Sequence, residues 1–390
     1  MSTPQIEIQW IAALVAVSCA IPGVFLVLRK MAMVSDAISH AILPGIVVGF
    51  LVAGSLNSPL LIILAAATGL FTVVLVELIS KTRLVKEDAA IGLVFPALFS
   101  IGVILISRNV ANVHIDTDAV LMGEIAFAPF DRLVVWGYDI GPQNAWVMQA
   151  ILLLNILFVF LFFKELKLST FDSGLAASLG FAPVAINYAL MSLVSVTTVG
   201  AFDAVGAILV VALMIVPAAT AYLLTDNLKT MLFIAVAIGI VSAIAGYWLA
   251  RFIDASISGS MATMCGFLFF VVFIFAPQRG LLSILRRTSR QKLEFAQMTL
   301  AIHIFNHSGE NDNLEERRKS HLNKHLSWDK KFSEAIVQQS LNKGLIKLDG
   351  ELISLTEKGQ SFVVAAQRLI SSKNHPEFSS LRKEFIIFSE

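Results

Sequence analysis

Long apolar runs alternate with short polar stretches up to about residue 285. They lie at about Ile8–Leu28, Met33–Ala53, Pro59–Val76, Ala89–Ser107, Ala145–Phe163, Pro183–Phe202, Ala204–Leu224, Thr230–Ala250 and Ala255–Pro277. Each is close to the roughly 20 residues that a helix needs to cross a hydrocarbon core. A span in lipid must satisfy its own backbone hydrogen bonds, so each run predicts a transmembrane helix. The narrowest division falls at Val199–Asp203, where two spans would share a very short turn. Beyond Leu285 the pattern changes. Helical periodicity runs from Lys292 to Phe305, a polar linker covers His307–Asn313, and a second folded stretch starts at Glu315. There "GLIKLDGELISLTEKG", Gly344–Gly359, predicts two short strands around the turn signal Asp349-Gly350. A helix is expected from Gln360 to about Ser371, and helix, helix, two-stranded wing, helix is a winged-helix pattern.

Basic residues give these spans a direction. Arg29 and Lys30, then Lys81, Arg83 and Lys86, then Lys164 and Lys167, then Lys229, then Arg286, Arg287 and Arg290 all fall on one side if the N-terminus is outside. That side is expected to be cytoplasmic; Arg108 and Arg251 are exceptions. The longest outer loop, Arg108–Asn144, carries Asp116, Asp118, Glu124, Asp131 and Asp139, and would suit cations arriving from outside. Met1–Trp10 has Glu7 and no basic residue before the first run, so it is not read as a signal peptide.

Composition agrees with this division. Of 390 residues, 57% are hydrophobic and 15% charged, with mean hydropathy +0.79; soluble domains average nearer 45–50% and about 25%. The expected units are a membrane domain, 1–285, and a cytoplasmic domain, 286–390. The first carries a net charge of −3 and the second +4. Cys19 and Cys265 both lie in apolar runs and make neither a disulfide framework nor a CxxC metal site.

The chemistry concentrates in "SDAISHA", Ser35–Ala41. Four residues apart on a helix, Asp36 and His40 share a face. A carboxylate oxygen with a neutral imidazole nitrogen suits manganese, iron or zinc, whereas calcium prefers oxygen alone. Ionisable residues inside spans are functional candidates; a hydrogen-bonded pair locking two helices is the structural alternative. "LPG" at Leu43–Gly45 predicts a kink directly after the pair. Asp203 either lines the same path or sits in a wet loop. Glu77, near a span end, reads as structural. His114 with Asp116 and Asp118 is metal-compatible but equally explained by a solvated loop. The pairs His303/His307 and His321/His325 lack supporting carboxylates in fixed spacing and read as solvated. The chain has no GxxxxGK[ST] loop for nucleotide phosphates and no HExxH motif.

"LVLRKMAMVSDAISHAILPGIVVGF", Leu26–Phe50, closely resembles the signature of permease subunits of bacterial metal-ion ABC importers. "STFDSGLAASLGFAP", Ser169–Pro183, resembles their cytoplasmic coupling segment, "VGAILVVALMIVPAATAYLL", Val205–Leu224, their late-span motif, and "IDTDAVLMGEIAFAPFD", Ile115–Asp131, an outer loop of the longer members. The match covers roughly residues 8–285. The resemblance implies an all-α polytopic membrane permease in a bacterial plasma membrane, without a permanently bound cofactor. It would work with a second permease, identical or homologous, two ATPase chains and an extracytoplasmic metal-binding protein. Asp36 and His40 take the ligand roles of the signature. The resemblance implies about eight spans, where the charge pattern implies nine. Phe171–Phe181, with Phe171, Asp172, Gly174, Ala177 and Gly180, is expected as one short helix that docks on the ATPase. "SLNKGLIKLDGELISLTEKGQ" resembles the winged-helix domain of iron- and manganese-dependent regulators of the diphtheria-repressor type. A net charge of +4 is modest for DNA binding, so a regulatory or docking role is the preferred reading. The competing functions are a proton-coupled secondary metal transporter and a membrane-tethered metal-responsive regulator.

Overall fold

A computed structural model describes residues 3–54, 58–109, 125–135, 138–308 and 314–371. It divides into two units, Met1–Leu281 and Leu282–Glu390.

The first unit is helical: α1 (Thr3–Leu28), α2 (Ala32–Ala41), α3 (Leu43–Ala53), α4 (Pro59–Lys81), α5 (Glu87–Asn109), α6 (Gln143–Leu161), α7 (Phe163–Phe171), α8 (Ser173–Ser178), α9 (Pro183–Val205), α10 (Ala207–Leu224), α11 (Leu228–Ile253) and α12 (Ile257–Phe275). With α2 and α3 counted as one interrupted span, nine spans long and apolar enough to cross a membrane lie among the described residues. This agrees with the charge pattern rather than with the count of eight. Polar caps set the starts: the side chains of Ser58, Asn227 and Ser256 accept amide hydrogen bonds at α4, α11 and α12.

The division near residue 200 lies further along than the sequence suggests. Helix α9 runs through Asp203 to Val205, so Asp203 is not in a loop. The break is the single residue Gly206, at φ 80° and ψ 164°, a conformation that residues with a Cβ rarely adopt. The second span breaks where "LPG" predicts, with Ile42 between α2 and α3 and Pro44 in the first turn of α3. The coupling segment holds the expected short helix with narrower bounds: α7 ends at Phe171, and Asp172 caps α8, Ser173–Ser178. The outer loop contains a small antiparallel hairpin, β1 (Arg132–Val135) with β2 (Tyr138–Pro142), which no alternation in the sequence announced. His114, Asp116, Asp118 and Glu124 lie outside the described residues.

Helix α1 is the hub, packed on α6, α9, α10 and α11. Gly23 permits this: a Cβ there would stand 1.9 Å from the Met214 carbonyl oxygen of α10. Buried polar groups join helices where lipid offers no competing partner. Asn155 of α6 donates to the Ser18 carbonyl of α1 at 2.8 Å and to Thr197 Oγ1 of α9 at 3.1 Å. Ser195 of α9 donates to the Ala66 carbonyl of α4 at 2.9 Å.

The second unit is built from α13 (Leu281–Asn306), α14 (Leu322–His325), α15 (Lys330–Asn342), the hairpin β3 (Ile346–Asp349) and β4 (Leu352–Leu355), and α16 (Glu357–Ser371). Its core gathers Leu300 and Ile304 of α13, Ile336 and Val337 of α15, Ile346 and Ile353 of the hairpin, and Phe362 and Val363 of α16. Asp349 pairs with Leu352, so the turn residues are Gly350 and Glu351, one position later than expected. Helix α16 starts three residues early because Thr356 Oγ1 accepts the Gly359 amide at 3.0 Å.

Candidate ion-pathway site

Helix α2 buries Val34, Ser35, Ala37, Ile38, Ser39 and Ala41 against α4, α5, α9 and α10. Ser35 Oγ reaches Met214 Sδ of α10 at 3.1 Å. One strip remains open: Met33 is 54% exposed, and the side chains of Asp36 and His40 are 39% and 35% exposed. The spacing i, i+3, i+7 places all three on one helix face.

His40 Nε2 lies 3.6 Å from Asp36 Oδ1. That is too long for a hydrogen bond and close to what a shared cation needs. Two ligands at about 2.1 Å from one zinc stand roughly 3.4 Å apart. The His40 ring packs on Phe95 of α5 at 5.8 Å between centroids, which fixes one side of the imidazole. His40 lies in the last turn of α2, where the helix dipole favours positive charge. Pro44 has no amide hydrogen, so the His40 carbonyl lacks the donor that a continuous helix would give it. The break thus adds a carbonyl oxygen to the polar surroundings of the pair.

Asp203 belongs to another locality. It is exposed in the last turn of α9, and its charged neighbour is Asp131, which precedes β1. Arg132 of β1 pairs with Glu7 of α1 at 3.0 Å and with Asp139 of β2 at 2.7 Å. Hydrogen bonds from Arg132 and the Gly141 amide hold the Asp139 carboxyl below the usual carboxylate range. Asp203, Asp131, the hairpin and the start of α1 therefore share one end of the bundle. Glu77, near the end of α4, pairs with Lys81 one turn on at 2.7 Å, as a structural residue would.

The opposite end of α1 is tied to the coupling region by Arg29, which sequence reading used only as a topological charge. Its guanidinium donates to Ser169 Oγ at 2.8 Å, Thr170 Oγ1 at 3.1 Å and Asn187 Oδ1 at 2.7 Å. One planar group thus joins α1, α7 and α9. Burial lowers its pKa. Its acceptors are more than a hundred residues away, so no local pattern could reveal the tie.

Past Phe171, Asp172 Oδ1 accepts the Leu175 amide at 2.8 Å and starts α8. The Gly180 and Phe181 amides close α8 on the Ala177 and Ala176 carbonyls, each at 3.1 Å. Only Ala176 of α8 is buried. Gly174 and Ala177 are exposed, and Phe171, Leu175, Leu179 and Phe181 form an exposed apolar ridge beyond the ends of the neighbouring spans.

A sequence model of the ABC 3 transport family matches residues 5–276. The chain belongs to that family. It is the membrane permease subunit of an ABC importer and not the ATPase. Among its ABC 3 relatives, the zinc transport system membrane protein TroD of Treponema pallidum is 46% identical, over 92% of this chain and 98% of that protein. The manganese transport system membrane protein MntD of Bacillus subtilis is 49% identical over 290 residues, 74% of this chain and 98% of that protein. The TroD match thus reaches well into the second unit, whereas MntD has about the length of the first. The solved structure described as PsaBC from Streptococcus pneumoniae in complex with Fab aligns with a TM-score of 0.62 at 28% identity, over 73% of this chain and 96% of that one.

The structure thus brings Asp36 and His40 together and leaves Asp203 in a separate acidic locality. It also forms a cluster where the sequence predicts solvated histidines: His303, His307 and Glu316 gather in the second unit. His321 is not part of it.

Proposed function

We propose that this ABC 3 permease carries divalent manganese, zinc or iron across a bacterial plasma membrane, with its N-terminus outside and its C-terminal unit cytoplasmic. It works with a second permease, identical or homologous, with ABC ATPase subunits and with an extracytoplasmic metal-binding protein. The ion is cargo rather than a resident cofactor. Asp36 and His40 are its transient ligands, two such pairs facing each other across the permease interface. Asp203 with Asp131 forms an acidic approach at the outer end. The segment from Phe171 to Phe181, presented by Asp172, Gly174, Ala177 and Gly180, docks in an ATPase cleft. The C-terminal unit is a winged-helix-like regulatory domain.

One observation carries this reading: a carboxylate and an imidazole, each more than a third exposed, share the one open strip of a membrane helix whose other faces are buried. An aspartate facing lipid at mid-span costs about 2.5–3.5 kcal/mol. A second permease with the same chemistry removes that cost. Two carboxylates then balance one divalent ion, and two imidazoles complete a four-ligand set that suits zinc and leaves room for water on manganese or iron. The names of TroD and MntD support the metal class, and the apolar ridge around α8 supports docking, since an exposed apolar surface outside the spans calls for a partner.

The test is metal uptake by sealed vesicles holding the chain with its ATPase and second permease. Uptake should require ATP and the ATPase chain. Uptake driven by a pH gradient in the permease alone would replace this reading with secondary transport.

A further inference from the structure

The second unit holds a group of ligating side chains that the transport pathway does not use. His303 lies in the last turn of α13 and His307 just beyond it, and their ring centroids are 4.7 Å apart. Glu316 comes from the 3-10 turn Leu314–Arg317. Its Oε2 lies 2.8 Å from His307 Nδ1, and its carbonyl oxygen 3.2 Å from His303 Nε2. One ligand atom from each residue lies within 4.8 Å of the other two. Around a zinc ion at about 2.1 Å, ligand atoms stand roughly 3.4 Å apart, so the three side chains must turn closer together to share an ion, with His303 giving up its contact to the Glu316 carbonyl or offering Nδ1. The His325 ring lies 6.1 Å from that of His303.

Three observations set this group apart from solvated histidines. All three residues are partly buried. They sit at the C-terminal end of a 26-residue helix, where the dipole favours a cation. The turn that carries Glu316 is also stitched to the hairpin. Arg317 Nε donates to the Ile353 carbonyl at 3.2 Å, the Lys319 amide donates to the Glu351 carbonyl at 2.9 Å, and Arg318 forms a bridge with Leu352. An ion held by His303, His307 and Glu316 would therefore fasten the end of α13 to β4. Imidazole and carboxylate donors select divalent transition metals over calcium or magnesium, the same class as the proposed cargo.

We infer that His303, His307 and Glu316 form a divalent transition-metal site in the C-terminal unit, through which the transported ion is sensed by locking α13 to the β3–β4 hairpin. The choice of ion rests on the transport reading; the site itself does not.

The experiment uses the full-length metal-free protein in detergent with cobalt(II) as the probe. Bound cobalt is followed by its ligand-field absorption, and the turn Leu314–His321 by backbone hydrogen exchange. Cobalt should slow exchange in that turn in the wild type. The affinity behind that protection should fall at least tenfold in the His303→Ala/His307→Ala double variant and in Glu316→Gln, which keeps side-chain size. Asp36→Asn and His40→Ala should keep it. Equal protection at equal affinity in Glu316→Gln, or no cobalt-dependent protection in the wild type, overturns the inference. Loss of uptake in Asp36→Asn with C-terminal protection intact supports both readings. Normal uptake there with protection intact removes the transport site alone.

Discussion

Two i, i+4 pairs in this chain carry similar chemistry in opposite settings. Asp36 and His40 lie on a membrane helix with every other face packed, and their own chain offers no third side-chain ligand beside them among the described residues. His303 and His307 lie in the small second unit, and a turn from the same unit brings Glu316 to them. On the proposed reading, the difference separates a passage from a stop. A half-site completed by another chain can be opened by moving two subunits apart, so it can release its ion. A site closed within one small core holds its ion until the concentration falls, which suits sensing. Spacing along one helix cannot distinguish the two; the origin of the remaining ligands does.

The sharpest way to break this contrast is to ask what covers the Asp36–His40 strip. A benzophenone side chain in place of Met33 should crosslink to a second permease, whereas one in place of Val52, exposed on α3, should not. Crosslinking of position 33 to lipid alone would leave the half-site without its other half. Next in size is Arg29→Ala, which removes three hydrogen bonds from a charged donor. At about 2 kcal/mol for the group, positioning of α7 against α1 and α9 should weaken enough to cut coupled uptake on the order of tenfold. Arg29→Lys should rescue little, because an ammonium cannot span three acceptors in a plane. Wild-type uptake by Arg29→Ala would show that this tie is structural decoration. A smaller effect is expected from Gly174→Glu and Ala177→Glu: ATP hydrolysis continues while uptake falls several-fold, read as a changed ratio of ions moved to ATP consumed. An unchanged ratio in both would place the docking surface elsewhere. The smallest effect comes from truncation after Leu281. Uptake from metal-poor medium should change little, because that unit has its own core, while the cobalt held by His303, His307 and Glu316 disappears. Loss of membrane insertion would contradict this separation.

Much of the fold was legible because membranes leave few choices. Apolar runs near 20 residues fixed the spans, and "LPG" fixed the break at Ile42. The division near Asp203 was placed early because Asp203 is polar, while the element that ends α9 is Gly206, whose positive φ leaves no hydropathy signal. The β1–β2 hairpin was missed because its strands have only four and five residues in a polar loop, and Arg132 ties them to Glu7 across more than a hundred residues. The proximity of Asp36 and His40 was readable since both side chains lie one helical turn apart. The His303–His307–Glu316 group was not, because its third member arrives through a turn anchored to β4. Arg29 shows the same limit: its charge was visible, its acceptors were not.

The most direct measurement of the central claim is radiolabelled manganese or zinc uptake by the assembled complex carrying Asp36→Asn, alongside its subunit composition and ATP hydrolysis. The substitution keeps size and removes the charge that balances the ion. Assembly and ATP hydrolysis should persist, and uptake should fall at least about tenfold, as loss of a ligand exceeds the 10- to 100-fold cost typical of its outer partners. Uptake at the wild-type rate by a fully assembled Asp36→Asn complex would contradict the account and remove this carboxylate from the path of the ion.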